Sequence, residues 1–112
     1  MSTSEDSAPL TVAHSEEGAR LVVSVAGEMD VAAVPHLEAA LGGLRPLPLP
    51  IAFDLAGVSF LDSSGLRALL QARAWSMEDT GTAADIRHAS EPVVALLRIS
   101  GMHGLFALPD SD

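Results

Sequence analysis

Two hydroxyls and a carboxylate stand in a row at Asp62-Ser63-Ser64-Gly65. An apolar run from Ile51 to Leu61 precedes them, and a run of helical spacing from Leu66 to Trp75 follows. The four residues therefore mark the point where a strand gives way to a helix. Free backbone N–H groups and the positive end of the helix dipole meet there. A phosphate carried by one of the two serines is well placed at such a point, because it meets N–H donors. A plainer reading makes Ser63 the helix N-cap and Ser64 a helix-start hydroxyl, with Asp62 as a rival cap. Nucleophilic catalysis is a third reading. It needs Gly-x-Ser-x-Gly around the serine, and the sequence there is Leu61-Asp62-Ser63-Ser64-Gly65. His36, His88 and His103 are candidate bases, but none sits in a recognisable triad context. The four histidines are scattered with no pair at helical spacing, so no metal ligands are expected.

Composition narrows the remaining classes. The 112 residues fit one domain, and a hydrophobic share of 48% supports a packed core without staples. The absence of Cys excludes disulfides, thiolate catalysis and zinc–thiolate sites. The net charge is −9, from 15 acidic and 6 basic residues, and every basic residue is Arg. That balance opposes binding to nucleic acid or to an anionic membrane and suits a basic partner surface. The polar, acidic start Met1 to Ala8 has no signal-peptide pattern. Leu44 to Leu61 is broken by Pro46, Pro48, Pro50 and Asp54 and so is no membrane span. A cytoplasmic protein is expected.

The elements that position the motif can be read along the chain. Residues 1–7 read as a disordered tail and 109–112 as a short C-terminal one, leaving a domain over 8–108. Leu10 to His14 and Arg20 to Ala26 read as a hairpin with a loop of several residues. Asp30 is a plausible N-cap for a helix whose stripe is Val34, Leu37, Leu41 and Leu44, ending at Gly42-Gly43. Arg45-Pro-Leu-Pro-Leu-Pro50 reads as a stiff crossover, with a ligand for a proline-binding module as the rarer alternative. Ile51 to Leu55 reads as a central parallel strand, followed by a bend at Ala56-Gly57-Val58. The helix from Ser63 or Ser64 to Met77 is expected to turn Leu66, Leu69, Leu70 and Met77 to the core. Arg67, Gln71 and Arg73 should face outward. Thr82 to Ala89 is a strand of poor β-formers. Ser90-Glu-Pro92 opens a third helix with core positions Val93, Leu96 and Leu97, and Gly101 follows its end. Leu105 to Leu108 reads as a terminal strand or extended segment. The order β-β-α-β-α-β-α-β predicts an α/β domain, a mixed four- to five-stranded sheet with helices packed on it.

Asp54-Leu-Ala-Gly-Val-Ser-Phe-Leu-Asp-Ser-Ser-Gly-Leu-Arg-Ala-Leu-Leu70 closely resembles the signature of the STAS domain, in the anti-sigma factor antagonist family. Gly27-Glu-Met-Asp30 resembles that family's Gly-Glu-Leu-Asp at the end of strand two. Leu97-Arg-Ile-Ser-Gly-Met-His-Gly-Leu-Phe106 is similar to its Leu-x-Leu-Thr-Gly-Leu-x-x-Leu-Phe ending. The resemblance runs in order over about residues 8–108. It departs between Glu78 and His88, where the family usually has an apolar strand, and this leaves the length of the fourth strand open.

The resemblance implies a cytoplasmic bacterial phosphoprotein of transcription regulation and stress response, with a STAS-like fold and no catalytic residue, metal or cofactor. Ser63 takes the place of the serine phosphorylated by an anti-sigma factor that is itself a GHKL-type serine kinase. Unphosphorylated antagonist binds that kinase and frees a sigma factor; phosphorylated antagonist does not bind until a serine phosphatase restores it. Asp30, Asp62, Ser64 and Gly65 are the residues implied to support the phosphosite or the partner contact. A phosphate adds about −1.5 to −2 charge. Helix N–H donors would hold it without unfolding, while Asp30 and Asp62 would oppose it as like charges. The alternative is a non-switching STAS scaffold in a signalling or transporter-associated complex. Nucleotide binding is disfavoured by the lack of a Gly-rich phosphate loop.

Overall fold

In a computed structural model of the chain, residues 10–108 are described, and the expected tails lie outside them. Four strands form one sheet in the order β1-β2-β3-β4: β1 (Leu10–Glu17), β2 (Arg20–Met29), β3 (Ile51–Leu61) and β4 (Asp85–Ala89). The β1/β2 pair is antiparallel, and the other two pairs are parallel. Among the described residues three α-helices join the sheet: α1 (Val34–Gly42), α2 (Ser63–Thr80) and α3 (Glu91–Ile99). The mixed α/β sheet is thus as expected, at the lower of the two strand counts.

The hairpin is tighter than expected. Glu17 pairs with Arg20, so Gly18 and Ala19 alone form the loop. Gly18 takes φ of +60, the left-handed conformation that two-residue hairpin turns require at one or both central positions. The bend expected after Leu55 is also absent. β3 runs on to Leu61, and two register shifts against β2 absorb the extra residues. Gly57 lies at the first of them, where a Cβ would come within 2.8 Å of the Ala26 Cβ. Such bulges bend a strand while keeping it paired.

Strand alternation places Leu21, Val23, Val25, Ile51, Phe53, Leu55 and Ile86 on one sheet face, all buried. Leu37 of α1, Leu69 of α2 and Val93 and Leu97 of α3 join them in a single core. Among the described residues the other face buries only Val22 and Ala52, which are level with each other. Two ion pairs flank this strip: Arg20 to Asp85 at 3.3 Å and Arg87 to Glu17 at 3.1 Å.

α1 buries Val34, Leu37 and Leu41 as the spacing predicted. α2 departs from expectation. Its buried positions are Gly65, Ala68, Leu69, Ala72 and Ser76, while Met77 is 48% exposed. Leu69 is buried as expected and Leu66 and Leu70 pack partly buried against the core, but small side chains fill the rest of the inner face and let this helix lie close to its neighbours. Ser76 is fully buried and satisfied, donating to the Thr82 carbonyl and accepting from the Ile51 N–H. The fourth strand is short, starting only at Asp85. Leu105 to Leu108 does not form a terminal strand: His103–Phe106 is a 3-10 turn that seats Phe106 in the core.

The proline crossover is fastened at its start. Asp79, at the end of α2, accepts from the Arg45 guanidinium at 2.8 and 3.0 Å and from the Leu47 N–H at 2.8 Å. Arg45 also meets Glu78 at 2.9 Å and lies over the Trp75 ring, 4.9 Å from its centroid. Leu47 is buried, which agrees with a structural crossover.

Candidate functional site

β2 and β3 leave the sheet side by side. Met29 is level with Leu61, and the Asp62 N–H donates back to the Met29 carbonyl at 3.4 Å. This register brings the Asp30 turn next to the start of α2. Gly65 makes the approach possible. It is buried, and a Cβ there would stand 2.5 Å from the Met29 carbonyl oxygen and overlap Leu61 Cδ1.

Asp62 is the N-cap of α2, in extended conformation with φ −113 and ψ −169. Its Oδ1 accepts from the N–H of Ser64 at 2.9 Å and of Gly65 at 3.2 Å. Ser63 is therefore the first helical residue rather than the cap. It is exposed, and its hydroxyl has no hydrogen-bond partner among the described residues. Ser64 is half-buried. Two of the helix-start N–H groups, the donors on which a phosphate was expected to rest, already serve Asp62.

Asp30 performs a parallel task one step earlier than expected. Its Oδ1 accepts from the Ala33 N–H at 2.9 Å, and its carbonyl accepts from Ala33 and Val34. It thus closes the turn that leads into α1, whose own N-cap position is Ala33. Asp54, upstream in β3, turns its Oδ1 to the Ala56 N–H at 3.1 Å.

The structure thus gathers Asp30, Asp62, Ser63, Ser64 and Gly65 at the C-terminal rim of β2 and β3. Among the described residues no histidine is hydrogen-bonded to Ser63, and no group of three or more His, Asp or Glu is placed to hold a metal ion. Two neighbours escaped the sequence reading. Val31 is 71% exposed and Phe60 is 48% exposed, and both flank the capped turns. Phe60 lies in an apolar run, but the second bulge in β3 sets it level with exposed Glu28. Only that register could have revealed its exposure.

The chain matches the family described as "Mlab, STAS domain" over residues 12–109. It belongs to the STAS-domain family. A crystal structure of an anti-sigma factor antagonist from Mycobacterium paratuberculosis is similar, with 28% identity and a TM-score of 0.74, covering 91% of this chain and 86% of that one. The antagonist SpoIIAA, in its unphosphorylated form, shares the fold at 22% identity and a TM-score of 0.67, with 84% of each chain covered. No curated protein matches the sequence. Among the described residues, no helix of this STAS domain is long and apolar enough to cross a membrane.

Proposed function

We propose that this STAS domain is an anti-sigma factor antagonist switched by phosphorylation of Ser63. The unphosphorylated form binds an anti-sigma factor, a GHKL-type serine kinase, and so releases a sigma factor. The kinase phosphorylates Ser63 and loses its grip, and a serine phosphatase reverses the change. The protein is a substrate and a binding partner rather than an enzyme, it acts in the cytoplasm, and it has no role on nucleic acid or membrane.

One observation supports this reading above the others: the Ser63 hydroxyl is exposed and without a hydrogen bond among the described residues, while the carboxylate beside it holds the helix start. A kinase can reach that oxygen without opening the fold. Asp62 already occupies the Ser64 and Gly65 donors, so an added phosphate there faces a carboxylate as well as the helix end. The added charge is then presented to the partner as repulsion.

Phosphopeptide mapping by mass spectrometry, after incubation with the candidate kinase and ATP, tests the assignment. Stoichiometric label on Ser63, abolished in Ser63→Ala, is expected. Label at another residue, or none with any GHKL-type kinase of the organism, contradicts it. The matched family carries a name other than that of the antagonists, and the non-switching scaffold is the reading this experiment separates from the switch.

A further inference from the structure

The chain has three Phe, one Trp and no Tyr. Phe53 and Phe106 are fully buried, and Trp75 is half-buried beneath Arg45. Phe60 alone among the four aromatic residues opens broadly to solvent, at the level where β2 and β3 end. Val31, the residue after Asp30, is more exposed still. Because Met29 is level with Leu61, Val31 and Ser63 each stand two residues beyond paired strand ends. Exposed Glu28 lies beside Phe60.

Single exposed apolar residues are ordinary. Here two of the five large exposed ones among the described residues lie at the same paired strand ends as one modifiable hydroxyl and the acidic Glu28, Asp30 and Asp62. We infer that Phe60 and Val31 are the apolar anchors of the partner surface, on the same strand-end rim as Ser63 and with Glu28 level with Phe60. The occupant is the anti-sigma factor proposed above, on which this inference rests. Its matching surface is an apolar recess for the phenyl ring, bordered by basic side chains. Charge complementarity argues for that chemistry, since Glu28, Asp30 and Asp62 line the rim of a chain of net charge −9. An aromatic anchor beside the phosphoacceptor also explains why charge at Ser63 would abolish binding: the phosphate would be drawn into the desolvated centre of the contact.

Binding of the purified full-length GHKL-type kinases of the organism to the intact domain, measured one kinase at a time by calorimetry, tests the surface. Phe60→Ser is expected to weaken binding at least tenfold. Val31→Arg should do the same, and its 71% exposure leaves folding out of the result. Ile99→Ser, an exposed residue at the end of α3, should stay within twofold of the parent. Parental affinity in both Phe60→Ser and Val31→Arg overturns the anchor proposal, even where Ser63→Glu still abolishes binding and so sustains the switch. No binding of the parent domain to any of these kinases overturns both.

Discussion

At Ser63 the decisive fact is a division of labour between neighbours. Asp62 holds the helix start, so the cap does not engage the exposed Ser63 hydroxyl. Asp62→Asn keeps a side-chain oxygen for the cap and should change thermal stability little, whereas Asp62→Ala should cost about 1 kcal/mol by chemical denaturation. If Asp62→Asn also leaves phosphorylation by the kinase unchanged, the carboxylate serves the fold alone. Gly65 has no such latitude. A methyl group added there meets the Met29 carbonyl and Leu61, so Gly65→Ala should lower stability by about 1–3 kcal/mol. Parental stability in that variant would contradict the close approach of α2 to the ends of β2 and β3. That the motif stands at a strand-to-helix junction was legible from residue type and position, with Asp62 as one of the candidate caps. The exposure of Ser63 was not, because it depends on which of three adjacent polar residues wins the cap.

Between elements, the clearest electrostatic contact joins the end of α2 to the crossover into β3. The Arg45 guanidinium, and then the Leu47 N–H, hold the Asp79 carboxyl at about 2, below its ordinary value near 4. A depressed carboxyl stabilises the fold above its unfolded value and loses that contribution as pH falls through the folded value. Thermal melts between pH 5 and pH 2 should therefore show an acid loss of stability that is smaller in Asp79→Asn. Identical acid slopes for parent and variant would show that the contact contributes nothing. The stripe of α1 was readable because large residues mark it at Val34, Leu37 and Leu41. The inner face of α2 was readable only in part: Leu69, with Leu66 and Leu70 beside it, met expectation, but Gly65, Ala68, Ala72 and Ser76 complete the face while Met77 is exposed. Periodicity of bulky residues fails when a helix packs through small ones.

For the whole molecule, the order of strands and helices up to α3 followed from turn residues and apolar runs. The path of β3 beyond Leu55 did not, since bulges depend on the partner strand's register rather than on local propensity. The segment after α3 became a 3-10 turn because Phe106 reaches the core. These non-local details decide how the rim of β2 and β3, with exposed Ser63, Phe60 and Val31, is presented to solvent. The most direct measurement is the affinity of the cognate anti-sigma factor for the domain before and after stoichiometric phosphorylation at Ser63. The switch predicts binding that is lost, or weakened at least tenfold, in the phosphorylated form and retained in Ser63→Ala. Equal affinity for phosphorylated and unphosphorylated domain would contradict it and identify a scaffold instead.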